Sequence, residues 1–214
     1  ASDGCAVATR NGKRGPAAHD KHDTMTAPKR TGSPATEPVT LADAKAHLRV
    51  DGTDEDAYIT GLIGVARVAA EERLERTLVS TTWRLTLDGF PDAIKLTMPP
   101  IVSVQSLTYW DATGVQQTLA PADYVLDAVS EPGYLVPAPG KAWPSTQSGR
   151  INTVTVDYTA GYGATAADVP PPIRHWILLA IGDLYAQRER SAERPVVAQN
   201  FADGLLDTYK MWGV

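Results

Sequence analysis

The sequence predicts an α+β fold: a helical bundle of about four helices with a small antiparallel β-domain inserted into it. Three observations carry this reading. Between Leu41 and Leu78 the apolar residues recur every three or four positions, the period of a helix with one buried face. From Thr82 to Tyr158 the period drops to two, the signature of half-buried strands. After Pro170-Pro171-Pro172 the helical period returns. The strands thus form one block with helices on both sides, and the two helical regions are expected to pack together.

Each element follows from local chemistry. Residues 1–38 are rich in Ala, Gly, Pro and Thr and nearly free of large apolar side chains. They read as a flexible N-terminal arm, because so little apolar area cannot offset the entropy of ordering. If ordered, the arm is expected to lie on a neighbouring subunit. Met25 could be a natural start. Residues 39–80 form the first helical part. Thr40 caps a short helix with Asp43 at the capping-box position, and Asp51-Gly52 breaks it. Thr53 or Asp54 caps a longer helix that runs to Leu78, with Glu72 and Arg76 paired on its exposed side. Gly61 and Gly64 each cost about 1 kcal/mol there, so another helix is expected to approach them.

Residues 81–168 form the β-domain insertion, of five to seven short strands. The alternating runs are Trp83/Leu85/Leu87, Ile94/Leu96/Met98 and Val154/Val156/Tyr158. A phase switch between Val104 and Leu107 indicates a bulge, and Asp111-Ala112-Thr113-Gly114 a hairpin turn. Further strands are expected near Tyr124–Asp127 and Tyr134–Val136. Residues 169–194 form the second helical part, with its buried stripe from Ile173 to Leu184 and Pro195 as its stop. Residues 195–214 form a C-terminal docking segment carrying Phe201, Leu205, Leu206, Tyr209, Met211 and Trp212. So short a helix is marginal alone and must dock on its own domain or on a partner.

Composition excludes several classes of function. With 43% hydrophobic and 21% charged residues the 214-residue chain is an ordinary globular protein. Its net charge of −5 argues against tight sequence-independent binding of nucleic acid. The arm carries +2 and the remainder −7. No apolar run is long enough to span a membrane. The single cysteine, Cys5, precludes an intrachain disulfide and any cysteine-based zinc cluster, and fits a reducing cytoplasm.

No motif reads as a catalytic, metal or cofactor site. DGTDED (Asp51–Asp56) offers four carboxylates but has Asp56 and Leu62 where a calcium loop needs Gly and Glu, so it reads as a helix cap. GKRG at 12–15 lacks the spacing of a phosphate loop. His19, His22, His47 and His175 form no ligand pattern. TAGYG (159–163) reads as a tight turn needing positive φ. Trp83 and Trp176 lie on apolar stripes and should be buried. Exposed Trp110 and Trp143 would instead suit a β-sandwich module that binds a sugar or receptor on a tail structure, the alternative reading.

Taken in order, the capped helix pair from Leu41 to Leu78, TTWRLTLDGFP, PPIVSV, GKAWP, VTVDYTAGYG and VPPPIRHWILLAIGDLYAQRE resemble the head–tail connector, or adaptor, family of tailed bacteriophages. Its equivalents in gene transfer agents fit equally. The resemblance covers Pro38 to Glu189, with an echo at Gly204-Leu205-Leu206 and Tyr209-Lys210. It implies a structural protein without catalytic activity or cofactor. Such a protein forms a homo-oligomeric ring, usually of twelve subunits, at the head–tail junction of the particle, after assembly in the bacterial cytoplasm. The ring joins the portal protein to a head-completion (stopper) or tail protein, and double-stranded DNA passes through its lumen. The segment implied to grip the portal is Phe201, Leu205, Leu206, Tyr209, Lys210, Met211 and Trp212. Helices 54–78 and 172–190 are the candidate ring interfaces.

Overall fold

A computed structural model describes residues 28–187 and 200–211. Strand β1 (Lys29–Arg30) is followed by helices α1 (Leu41–Leu48) and α2 (Asp56–Leu74). Strands β2 (Thr81–Leu87), β3 (Ile94–Leu96), β4 (Ile101–Trp110), β5 (Gln116–Thr118), β6 (Tyr124–Asp127), β7 (Gly133–Pro137) and β8 (Val154–Ala160) come next. Helices α3 (Pro171–Ala186) and α4 (Asn200–Asp207) end the described chain. This is the expected α+β fold, four helices with an antiparallel β-domain between α2 and α3.

The strands make two sheets, β1-β2-β8-β4-β5 and β3-β7-β6, antiparallel throughout. Ile94, Leu96 and Leu135 of the small sheet meet Leu85, Leu107, Val154 and Val156 of the large one in a shared core. The register shifts between Val104 and Ser106, where the sequence indicates a bulge. Outward residues of the large sheet are mostly hydroxylic, and Arg84 pairs with Asp157 directly across the β2–β8 ladder at 2.7 Å. A second core lies among the helices, built on Ile59, Ile63, Leu74, Ile173, Ile177 and Ile181.

The helix pair begins as the sequence indicates. Thr40 Oγ1 accepts the Asp43 amide at 3.1 Å, and the Asp43 carboxylate reaches back to the Thr40 amide and hydroxyl. Two expectations for α2 need correction. Its N-cap is Glu55, with no side-chain cap, rather than Thr53 or Asp54. Its C-terminus is Leu74, because Glu75 turns left-handed at φ 53°. Leu78 continues the helical apolar period yet reaches the core from a bend beyond the helix, with its amide donating to Glu71 Oε1 at 3.1 Å. Arg76 is therefore turned inward, 8% exposed, and does not pair with Glu72.

The TAGYG turn welds the β-domain to this helix exit. Ser80 donates to the Gly163 carbonyl at 2.8 Å and Tyr162 to the Leu78 carbonyl at 3.1 Å. Gly161 sits at φ 138°, and a Cβ there would lie 2.5 Å from the Ser80 backbone. Only glycine fits so close a crossing.

The described part of the arm packs on its own domain rather than needing a neighbour. Lys29 and Arg30 add a short edge strand against Arg84 and Trp83, and Val39 enters the helical core. Residues 1–27, with Cys5, His19, His22, GKRG and Met25, lie outside the described residues, as do residues 188–199 with Pro195.

Candidate interaction surfaces

The C-terminal segment is built onto the ends of α2 and α3. Helix α4 lies along α3, and Leu206, 2% exposed, fills the helical core. Asp203 accepts from Arg73 at 2.7 Å and from Trp176 Nε1 at 3.4 Å. After α4 the chain turns, with the Tyr209 amide donating to the Leu206 carbonyl at 2.9 Å and the Met211 amide to the Leu74 carbonyl at 3.4 Å. The candidate docking residues therefore divide. Leu206 is committed to the core of its own domain, and Tyr209 packs beside it, half-buried. Leu205 and Met211 are half-buried and Lys210 is exposed. Phe201 lies in α4, its side chain outside the description, and Trp212 lies outside the described residues. Among the described side chains of the set, Leu206 is the one buried in the core of its own domain.

Arg76 holds this segment in place. Its Nε donates to the Tyr209 carbonyl, and its two terminal nitrogens grip the Glu131 carboxylate. That bidentate pair raises Arg76 above its ordinary pKa and holds Glu131 below the usual carboxylate range. One guanidinium thus ties the helix exit, the β-domain loop around Glu131 and the C-terminal segment together. The sequence reading missed it by assigning Arg76 to an exposed helix face.

A second charge network fixes the residues before α1. Glu71, 3% exposed, accepts from Arg30 at 2.6 Å and from Arg67 at 2.7 Å. Arg67 also donates to Glu37 at 2.8 Å, and the Arg30 guanidinium lies 4.9 Å from the Trp83 ring centre.

The helix faces proposed as ring interfaces carry exposed apolar residues. Val65 is 55% exposed, and Tyr58 and Val68 are exposed on the same helix. Beyond α2's own backbone, no described atom lies within 4 Å of a Cβ placed on Gly61 or Gly64, so no described helix approaches them closely. The expectation of a close helix is not met within the subunit.

Other candidates resolve as local structure. In DGTDED, Asp56 pairs with Lys45 at 2.6 Å and Glu55 accepts from the Tyr185 hydroxyl. His47 and His175 are exposed, and among the described residues no three His, Cys, Asp or Glu are grouped to hold a metal. No helix among the described residues is long and apolar enough to cross a membrane. Trp110 and Trp143 do not form the exposed stacking platform of the alternative reading. Both are half-buried, with the Arg150 guanidinium 3.7 Å from the Trp110 ring centre and Phe90 stacked on Trp143 at 4.8 Å. Trp176 is half-buried rather than buried, because its indole nitrogen turns out to Asp203.

Residues 38–117 match the family described as phage gp6-like head-tail connector protein. Solved structures share its fold. A chain in the neck of an empty GTA particle computed with C6 symmetry superposes with TM-score 0.74 at 24% identity, covering 88% of this chain and 97% of that one. One in the virion of a native gene transfer agent (GTA) particle gives 0.73 at 24% identity, with the same coverage. One in the neck of a native GTA particle computed with C12 symmetry gives 0.64 at 24% identity, covering 86% and 96%. No curated protein matches the sequence.

Proposed function

We propose that this chain is a non-enzymatic head–tail connector that forms a twelve-membered ring between the portal and the stopper or tail protein of a phage or gene transfer agent particle. Double-stranded DNA passes through the ring's lumen. The observation that carries this is the family match over residues 38–117, in a fold shared with GTA neck chains across 88% of the sequence. The C12 symmetry of one of those necks supports the subunit number. A closed ring needs two different faces per subunit, and exposed Val65 and Val68 on α2 supply apolar area for one of them. The net charge of −5 suits a lumen through which DNA slides without sticking.

The C-terminal segment is the proposed portal grip. Leu206 and Tyr209 anchor it to the body, and Leu205, Lys210 and Met211 are the proposed partner contacts, with Phe201 and Trp212 as the flanking aromatic residues. The test is electron microscopy of the purified protein mixed with its particle's portal. A ring stacked on the portal is the expected result; a chain that never binds overturns the connector reading. The double variant Phe201→Ala/Trp212→Ala is expected to abolish attachment while leaving the circular dichroism spectrum unchanged. Normal attachment would move the grip elsewhere.

A further inference from the structure

We propose that β5 is a docking edge, onto which the tail-side partner of the ring, the stopper or tail protein, adds one extended strand. The inference rests on the connector and portal-grip readings above and assigns the contact on the other side of the ring.

β5 closes one edge of the large sheet. Its ladder with β4 runs past both of its ends. The Asp111 amide donates to the Val115 carbonyl at 2.9 Å, and the Leu119 amide to the Leu107 carbonyl at 2.8 Å. Residues of an antiparallel ladder alternate in facing their neighbour. Val115, Gln117 and Leu119 therefore turn their main-chain groups to β4, and Gln116 and Thr118 turn theirs outward. Among the described residues nothing bonds to those outward groups, and Gln116 and Thr118 are both exposed. Sheet edges are normally guarded by charge, by proline or by a covering segment. The opposite edge of this sheet carries Lys29 and Arg30. β5 reads Gln-Gln-Thr and has no such guard. It is also held in place. The Asp111 carboxylate accepts from the Thr113 amide at 2.9 Å, the Val115 amide at 3.0 Å and Gln117 Nε2 at 2.9 Å. An edge fixed in this way needs little reordering to accept a strand.

The side chains state which strand fits. Thr86, Thr155, Thr108 and Thr118 stand in one row across four strands, and Thr118 is its open end. On the sheet's other face Leu119 packs against the β-domain core. The matching segment is extended, with a hydroxylic residue continuing the threonine row and an apolar one beside Leu119. Position names the partner. The C-terminal segment attaches at the exit of α2, through the Met211 amide on Leu74 and Arg76 on Tyr209. The large sheet starts from that same exit, where the Thr77 amide donates to the Pro99 carbonyl at 3.0 Å and the Gly161 amide to the Pro100 carbonyl at 2.9 Å. Ala160 lies opposite Ile101 at this end, and Val154 lies opposite Tyr109, the partner of Gln117. The run from Ala160 back to Val154 covers about 20 Å along a strand. β5 thus stands at the end of the β-domain remote from the proposed portal grip. A ring held by that grip offers this edge to the protein that joins next. Pairing β5 with β5 of a second copy would join identical surfaces, which closes a dimer and not a ring.

The experiment uses the full chain assembled on the portal and then mixed with the particle's stopper or tail protein. Thr118→Pro removes one outward N–H at an edge position, where a strand tolerates proline. It is expected to leave the ring on the portal intact and to weaken addition of the tail-side protein about tenfold or more. In the wild type, hydrogen exchange read by mass spectrometry is expected to slow several-fold across 115–119 when that protein binds. If the proline variant melts below the wild type, Gln116→Lys/Thr118→Lys replaces it, since lysines guard an edge without touching the ladder to β4. Full addition of the tail-side protein to an intact variant ring, or no slowing at 115–119, overturns this contact and leaves the ring standing. Slowing that appears as soon as the ring forms assigns the edge to a neighbouring copy and overturns the tail-side partner. A wild type that forms no ring on the portal overturns the connector reading, and this contact with it.

Discussion

Residues 28–39 and residues 200–211 both close over α2, yet different physics holds them. The first stretch adds a strand to the β-domain and sinks Arg30 and Glu37 into a network centred on buried Glu71 and Arg67. The second has no sheet to join. It is held by buried Leu206, the Arg73–Asp203 pair, and Arg76 gripping the Tyr209 carbonyl. The first attachment adds Arg30 and Glu37 to the buried Arg67–Glu71 pair, so breaking it takes one partner from each of those buried charges. The second can let go with most of its polar groups returned to water.

The largest effect follows from that difference. Glu71→Ala removes the acceptor shared by Arg30, Arg67 and the Leu78 amide, and leaves buried cationic groups uncompensated. The expected loss is about 3–5 kcal/mol, a fall in melting temperature of roughly 10 °C or more by calorimetry. Glu71→Gln keeps acceptor oxygen in place and is expected to cost less. An alanine variant that melts with the wild type would break the comparison outright.

Arg76→Ala probes the other end. It removes the donor to Tyr209 and the bidentate partner of Glu131 together. The expected global loss is about 1–3 kcal/mol. Its local signature is several-fold faster tryptic cleavage at exposed Lys210, with protection around Arg30 unchanged. Equal loosening at both ends would mean the two attachments are one cooperative unit.

The comparison also marks how far the sequence could be read. Elements with a long, single period were legible, and so were the capping box at Thr40 and the bulge near Val104. The resemblance to head–tail connectors was legible from motif order. The C-terminal residues were legible as an apolar helical segment, but not how they divide between body and surface, because Leu205 and Leu206 are adjacent and alike in chemistry. The end of α2 was misread because Leu78 keeps the helical period although its backbone has left the helix, and periodicity carries no information about backbone path. Arg76 and Glu71 followed from that error. A charged residue in a helical run reads as exposed, and its burial depends on partners distant in sequence, Glu131 for Arg76 and Arg30 for Glu71.

The smallest effect comes from pH and sharpens the contrast at a single carboxylate. Glu131 is held below the usual carboxylate range chiefly by its hydrogen bonds to Arg76. A depressed carboxylate contributes stability that is present above its unfolded pKa, near 4.3, and is lost as pH falls through the lower folded value. Its side chain is 39% exposed, so solvent screens the contribution and keeps it small. The melting-temperature difference between wild type and Glu131→Gln is therefore expected to be level from about pH 5 upward and to shrink below about pH 4. Cleavage at Lys210 in the Gln variant at neutral pH should approach the wild-type pattern more closely than the Arg76→Ala pattern does. The backbone bond from Arg76 to Tyr209 survives the loss of the Glu131 charge. If the Gln variant instead frees the C-terminal segment as fully as Arg76→Ala, then the β-domain loop, and not the backbone bond, is what fixes the segment in place.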